Sequence, residues 1–314
     1  MSSYIQSGMP TVESAFGDES LLELSIVVAS YNDWLALESC LGSIAPQANG
    51  PRFEVVVIDD GSDITAPERI RQWARHFPLT IVEQSHAGIS AARNRGIRAS
   101  KGAVVLFVDA DCRLDPNCLA ALRSTIARFP QHNCFQLRLT GSCSSVVGRA
   151  EELRLVTFQE HALQPDGRIR YLNTAGFAMR RKRIGREAGV FDEAALRGED
   201  TLLLANLIEG DTLPLFVPEA IVEHAIPLSL MECLRKDIRT AYLEGRTYER
   251  IASTGVRIRV TQRERLRLLL SMWRTANRPS IGRTAWFVLV GRQALQRMIS
   301  FGYNFLRVGS ERGL

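Results

Sequence analysis

Cysteine is scarce, six in 314 residues, and no two form a Cys-x-x-Cys pair. That argues against a zinc ribbon and a disulfide scaffold. No window reaches the ~18 uncharged apolar residues that a membrane-spanning helix needs. Residues 1–20 have no apolar core and carry Glu13, Asp18 and Glu19, unlike a secretory signal. These absences predict a cytoplasmic chain with reduced thiols. Phosphate-cradling glycine loops are missing too. There is no Gly-x-x-x-x-Gly-Lys-Ser/Thr, and no Gly-x-Gly-x-x-Gly follows the first strand. The first absence excludes a P-loop enzyme, and the second argues against a nicotinamide cofactor. Internal repeats and low-complexity segments are absent as well.

What is there is ordinary in composition, 46% apolar and 23% charged, and long enough to bury a sizeable core. The charge is uneven. Residues Ser229 to Leu314 hold 17 Lys/Arg against 6 Asp/Glu, a net of +11, while the remainder holds 22 against 28, a net of −6. Such asymmetry predicts two functional parts, the second facing something anionic. A solvated basic helix face is the plain alternative. The boundaries expected are a flexible lead-in over 1–22, an α/β domain over 23–228 and a basic amphipathic helical region over 229–314.

Strand and helix alternate along the α/β part. Apolar runs at Leu24–Ala29, Phe53–Ile58, Leu79–Glu83 and Ala103–Val108 predict strands, and helical spacing predicts helices over Asp33–Ile44, Pro67–Phe77, Gly88–Ala99 and Pro116–Phe129. The strands are continuous apolar runs, which fits a mostly parallel sheet covered on both faces. Weaker signals suggest strands at Cys134–Leu139, Ile169–Met179 and Leu215–Val222, and helices at Glu151–His161 and Asp200–Ile208. The basic part reads as helical over Leu230–Ile251, Arg257–Trp273 and Gly282–Val308. In the last of these Val288, Leu295, Met298, Ile299 and Phe305 share one face, as in a helix lying in a membrane interface.

In an open parallel sheet, ligands bind beyond the carboxyl ends of the strands. Ser30-Tyr31-Asn32 follows the first strand, Asp59-Asp60-Gly61-Ser62 the second, and Asp109-Ala110-Asp111 the fourth, so three polar clusters meet on one edge. Asp109 and Asp111 would share a face of an extended segment, where two carboxylates repel unless a cation lies between them. A divalent ion with oxygen ligands, Mg²⁺ or Mn²⁺, relieves that repulsion and brings phosphates with it.

These segments together resemble the family 2 glycosyltransferases. The quoted residues are L-S-I-V-V-A-S-Y-N-D, E-V-V-V-I-D-D-G-S, A-G-I-S-A-A-R-N-R-G-I, G-A-V-V-L-F-V-D-A-D and R-G-E-D at Arg197 to Asp200. The resemblance runs from about Leu24 to His224 and implies a Rossmann-like GT-A fold with a basic helical C-terminal extension. It implies an inverting transfer from a nucleotide-diphosphate sugar, with UDP favoured. The donor loop would be Ser30, Tyr31 and Asn32, with Tyr31 near the base. Asp60 would bind the base with Asp59 in support, Arg93 would face the donor pocket, and Asp109 with Ala110 would meet the sugar or ribose. Asp111 would ligate the metal and His224 would add a further metal or diphosphate contact. Asp200 would be the catalytic base, with Glu199 beside it, and Asn173 to Arg180 would line the sugar and acceptor pocket. Ser30 departs from the Pro common in relatives, which changes loop stiffness and no chemical group.

The implied acceptor is a hydroxyl on a glycan, a lipid-linked sugar or another molecule, as in cell-surface polysaccharide or glycolipid synthesis. The basic region would rest peripherally on the cytoplasmic face of an anionic membrane. A nucleotidyltransferase would need a glycine-rich basic loop after the first strand, which this chain lacks. A nucleic-acid-binding protein would leave the acidic clusters unexplained, since they repel phosphate, so nucleic acid is not expected as a partner. A catalytically inactive scaffold of the same fold would have no need of these acidic groups.

Overall fold

The computed structural model describes residues 22–47, 50–141, 145–184, 189–195, 197–224, 229–256 and 262–311. The lead-in up to residue 21, Cys143 and the stretch 225–228 lie outside them. Eight strands form one sheet: β1 (Leu24–Ser30), β2 (Phe53–Asp59), β3 (Leu79–Glu83), β4 (Val104–Asp109), β5 (Cys112–Leu114), β6 (Cys134–Gly141), β7 (Phe177–Arg180) and β8 (Leu215–His224). Their spatial order is β3-β2-β1-β4-β7-β6-β8-β5. The first four pair in parallel. β7 then runs antiparallel between β4 and β6, β8 lies parallel to β6, and β5 closes the edge antiparallel to β8.

The apolar runs have a simple cause. Alternate residues of one strand enter two different cores. Ile26, Val28, Val55, Val57, Leu106 and Val108 pack on one face of the sheet with Leu37, Cys40, Leu41 and Ile44 of α1 (Trp34–Ile44). Val27, Val56, Ile58, Val105 and Phe107 pack on the other with Ala92 and Ile97 of α3 (Ile89–Ala99). Side chains alternate across a strand, so a strand covered on both sides must be apolar at every position. Asp33 caps α1 by accepting the Ala36 amide at 3.3 Å.

Two expectations need correction. The helix predicted over Pro67–Phe77 is a single turn, α2 (Glu68–Arg71), followed by a 3₁₀ turn at Gln72–Arg75. Of these eight residues only Ile70 is buried, and Pro67 supplies no side-chain cap, so little favours a longer α-helix. The strand predicted over Ile169–Met179 is a strand only from Phe177. Before it, the Asn173 side chain accepts the Ala175 amide at 2.9 Å and opens a 3₁₀ turn. Gln136 takes the Asn173 amide and donates to the Gly176 carbonyl, both at 2.9 Å, replacing ladder bonds with side-chain ones.

The other helices are α4 (Cys118–Arg128), α5 (Val146–Ala162), the single turn α6 (Arg181–Ile184), α7 (Glu199–Glu209), α8 (Leu230–Ser253), α9 (Gln262–Thr275) and α10 (Arg283–Glu311). The last two dock on α5. Ala150 and Leu153 meet Met272, Ala276, Ile281, Ala285 and Leu289 in a third apolar cluster. α10 buries one face and exposes another: Ala285 and Leu289 face inward, while Met298, on the face expected to meet a membrane, is 71% exposed and Phe287 62%. Asp237 of α8 is buried and ties α10 to α8, accepting Arg292 Nε at 2.6 Å, Arg292 Nη2 at 2.9 Å and Gln296 Nε2 at 3.1 Å. Among the described residues no helix is long and apolar enough to cross a membrane.

Close packing of α3 on β1 depends on Gly96, where a Cβ would lie 2.2 Å from Val27 Cγ1. Gly96→Ala is expected to cost about 1–3 kcal/mol by overpacking, read as a lower urea midpoint with an unchanged slope.

Candidate active site

The carboxyl ends of β2, β1 and β4 lie side by side. Ser30 pairs in register with Asp59, and Ala29 with Asp109. Beyond β1 the chain turns through Asn32, whose φ of 55° is left-handed. Its side chain locks onto the next loop, accepting the Asp63 amide at 2.8 Å and donating to Asp63 Oδ2 at 3.0 Å. Asp59 accepts the Ser62 amide at 3.0 Å. Gly61 between them has φ of +80°, and a Cβ there would meet the His86 amide nitrogen at 2.6 Å. Tyr31 is half exposed and stacks on His86 with centroids 4.3 Å apart.

Asp60 is buried and its carboxylate is fully engaged within the chain. Oδ1 accepts Gln84 Nε2 at 2.7 Å and the Ala87 amide at 2.9 Å. Oδ2 accepts the Gly88 amide at 2.9 Å and faces His86 Nδ1 at 3.0 Å. A carboxylate offers about four acceptor positions, so Asp60 holds the 84–88 loop against the sheet edge rather than standing open.

Arg93 projects from α3 into the middle of the site and is 4% exposed. Its Nη2 donates to Asp109 Oδ1 at 2.7 Å and its Nη1 to Glu199 Oε1 at 2.8 Å. Asp200 Oδ1 lies 3.9 Å from the same Nη1. Burial disfavours the guanidinium charge, but Asp109, Asp200 and Glu199 outweigh it and raise its pKa further. The Phe191 ring lies 5.6 Å from the guanidinium carbon.

Glu199 and Asp200 open α7, where acidic groups suit the positive end of the helix dipole. Thr174 donates its hydroxyl to Asp200 Oδ1 at 2.8 Å, and its amide lies 3.4 Å from Oδ2. Burial first, and the Glu199 charge second, push Asp200 up to about 7, against the pull of Arg93 and the Thr174 bond. Its side chain keeps 26% exposure, so the carboxyl is shielded yet reachable. A carboxylate tuned in this way can accept a proton near neutral pH.

The Asp109-Ala110-Asp111 run does not stay extended, because β4 ends at Asp109 and a turn follows. Its two carboxylates therefore part: Asp109 goes to Arg93, and Asp111 Oδ2 lies 3.2 Å from His224 Nε2. Strand pairing makes the second contact, since Cys112 of β5 is the register partner of His224 on β8. Asp111, Cys112 and His224 bring ligand atoms within 4.8 Å of one another. Burial would raise Asp111, but the hydrogen bond and charge of His224, with Lys236, hold it below the usual carboxylate range. His224 rises despite its burial because Asp111 faces it. Burial pushes the Cys112 thiol well up, so it stays neutral near pH 7.

The fold thus brings Asp109, Arg93, Glu199 and Asp200 into one cluster, and Asp111 with His224 into a second. Ser30, Tyr31, Asn32, Asp59 and Asp60 gather at the neighbouring strand ends, and Ala110 is buried between the two aspartates of its run. Thr174 falls in the segment expected to line the pocket, though its pairing with Asp200 was not foreseen, and Gln84, His86 and Cys112 were missed. Nothing in local spacing marks the contacts of Thr174, Gln84 and His86, since each acts on a residue 24 or more positions away. Cys112 was adjacent to Asp111 and gained meaning only from its partner strand.

Comparison with known proteins identifies the family and the fold. A model of glycosyl transferase family 2 matches residues 25–187, just over half of the chain. The chain belongs to that family. "Uncharacterized glycosyltransferase YibD" of Escherichia coli K12 is 34% identical over 101 residues, which is 32% of this chain and 29% of that protein. The match spans only about a third of the curated relatives' length. Among solved structures, the mannosyltransferase PcManGT of Pyrobaculum calidifontis, in complex with GDP-Man and Mn²⁺, aligns with a TM-score of 0.57 at 18% identity. The alignment covers 91% of this chain and 80% of that one. S. aureus TarS in complex with UDP gives 0.51 at 18% identity, covering 90% and 91%. The overall architecture is therefore the GT-A fold.

Removing the Arg93 guanidinium leaves three carboxylates facing one another. Arg93→Met is expected to lose about 3–5 kcal/mol of stability. The loss should be larger at pH 8 than at pH 5, because Asp200 is charged above about 7 and neutral below it. Urea unfolding at the two pH values checks both the size and the sign.

Proposed function

We propose that the chain is an inverting glycosyltransferase that moves a sugar from a nucleotide diphosphate to an acceptor hydroxyl. The observation that carries this reading is the shared edge on which the Asp111–His224 pair and the proton-tuned Asp200 stand either side of Arg93 and Asp109. The donor would lie along the strand ends, its base near Tyr31 and the loop that Asp60 organises. Asp109, oriented by Arg93, would present its second oxygen to a sugar or ribose hydroxyl. Asp200, with one oxygen held by Thr174, would take the proton of the attacking hydroxyl. Attack from the side away from the diphosphate inverts the anomeric carbon and needs no covalent intermediate.

Asp111 and His224 offer one carboxylate oxygen and one imidazole nitrogen, a donor set that suits Mn²⁺ or Mg²⁺ while leaving positions for phosphate oxygens. Such an ion, when bound, supplies charge stabilisation to the leaving diphosphate. PcManGT carries Mn²⁺ and GDP-Man, and TarS carries UDP, so uridine and guanosine donors are both to be tried. The acceptor class proposed is a glycan or lipid-linked hydroxyl. Outward-facing Phe287 and Met298 on α10, on a strongly basic region, support peripheral contact with the cytoplasmic face of an anionic membrane.

Thermal shift with UDP, GDP, dTDP and CDP, with and without Mn²⁺, is the first test. One nucleotide should stabilise the chain in a metal-dependent way, and Asp111→Ala should abolish that shift. Absence of any shift would remove the donor site. Asp200→Asn should lower kcat by about 10²–10⁴-fold while keeping the nucleotide shift. Because the folded pKa of Asp200 lies above its unfolded value, its ionisation costs stability as pH rises toward about 7. The same variant should therefore melt higher than the parent at pH 8, and kcat/KM of the parent should fall as pH drops through about 7. Flotation with anionic liposomes should be lost in Phe287→Glu/Met298→Glu, and equal flotation by both chains would refute the membrane contact.

A further inference from the structure

Away from the candidate active site, α5, α9 and α10 enclose a groove of about 170 Å³. Its floor is Phe158, Leu268, Leu269 and Met272, and its rim is Gln293 with Arg265 and Arg297. Leu268 and Met272 are buried, and both arginines are exposed. Among the described residues, neither guanidinium makes an ion pair and no carboxylate lines the groove. Two like charges facing one cavity repel unless an anion joins them. An inorganic anion would have no use for the apolar floor beneath. At 3.6 residues per turn, Leu266 and Leu270 continue the apolar arc of α9 past Leu269, and both are exposed. The surface therefore combines a paired cationic rim, an apolar trough and an apolar shoulder leading out of it.

We propose that this groove binds one anionic lipid, its phosphate on Arg265 and Arg297 and the first carbons of its alkyl chain on Leu268, Leu269, Met272 and Phe158. This goes beyond general adhesion of a basic surface, because it names one site with one headgroup charge and one chain. It also stands apart from glycosyl transfer, since no residue of the groove belongs to the candidate active site.

Isothermal titration calorimetry on the full chain, without nucleotide or metal, tests it. The probes are dihexanoyl phosphatidic acid and dihexanoyl phosphatidylcholine below their micelle concentrations, and inorganic phosphate. The expected result is saturable 1:1 binding of phosphatidic acid, at least tenfold tighter than phosphatidylcholine, with no binding of inorganic phosphate at the same concentration. Arg265→Gln/Arg297→Gln and Leu269→Gln should each weaken phosphatidic acid at least tenfold, with unchanged circular-dichroism spectra and, for the exposed arginines, an unchanged melting temperature. Equal binding of inorganic phosphate would make it a plain anion site and overturn the proposal. Equal binding of phosphatidylcholine would overturn it as unselective apolar contact. Unchanged affinity in the arginine variant would place the lipid elsewhere. A concentration-dependent dimer in light scattering that the same variants dissolve would mean that a second copy covers the groove.

Discussion

A single buried guanidinium fixes the electrostatics of the site. Arg93 binds Asp109 from the sheet and Glu199 from α7, and it stands near Asp200. Without it, three carboxylates in a poorly solvated space would either disperse or take up protons. The cost of burying Arg93 is large in isolation and is offset only by that set of partners. Its neighbour Asn94 extends the same control to the backbone. The Asn94 side chain accepts the Val190 and Phe191 amides at 3.0 and 3.1 Å and donates to the Phe191 carbonyl at 2.9 Å. Two consecutive residues of α3 thus orient the segments that carry Glu199, Asp200 and Phe191.

The aspartates of the site divide into two kinds. Asp59 and Asp60 are buried and accept loop amides and, for Asp60, the Gln84 side chain, so they shape the edge. Asp109, Asp111 and Asp200 keep part of their surface in contact with solvent. The D-x-D run illustrates why spacing alone misleads. Its carboxylates part toward two resident partners, the Arg93 guanidinium and the His224 ring, one for each aspartate. Those partners are set by α3 and by the β5–β8 pairing, far apart in sequence.

The first half of the fold was legible because its signals are local. Parallel strands buried on both faces are apolar at every position, and helices between them show period and caps. The strand-end aspartates could be placed on one edge by the same logic. Beyond residue 130 the organising bonds come from side chains. Gln136 replaces ladder bonds near Asn173, and β5 is only three residues long, too short for any pattern. The pairing of Thr174 with Asp200 could not be foreseen, since the two lie 26 residues apart. On α10 the Asp237–Arg292 pair was not legible, since its two members lie 55 residues apart on different helices.

Within the basic region, a polar contact between α8 and α10 fixes which face of α10 turns inward. The buried apolar contact of α10 is made by Ala285 and Leu289, with Trp286 and Val288 packed beside them, against Ala150 and Leu153. Apolar contact is non-directional and does not by itself select one rotation of the helix. The Asp237–Arg292 pair does, because turning α10 by one residue would leave a buried carboxylate and a buried guanidinium without partners. Polar specificity thus selects the inward face, and the large side chains Phe287 and Met298 are left on the outside. A helix turned to bury those residues would gain apolar area here and lose the exposed surface on which membrane contact would depend.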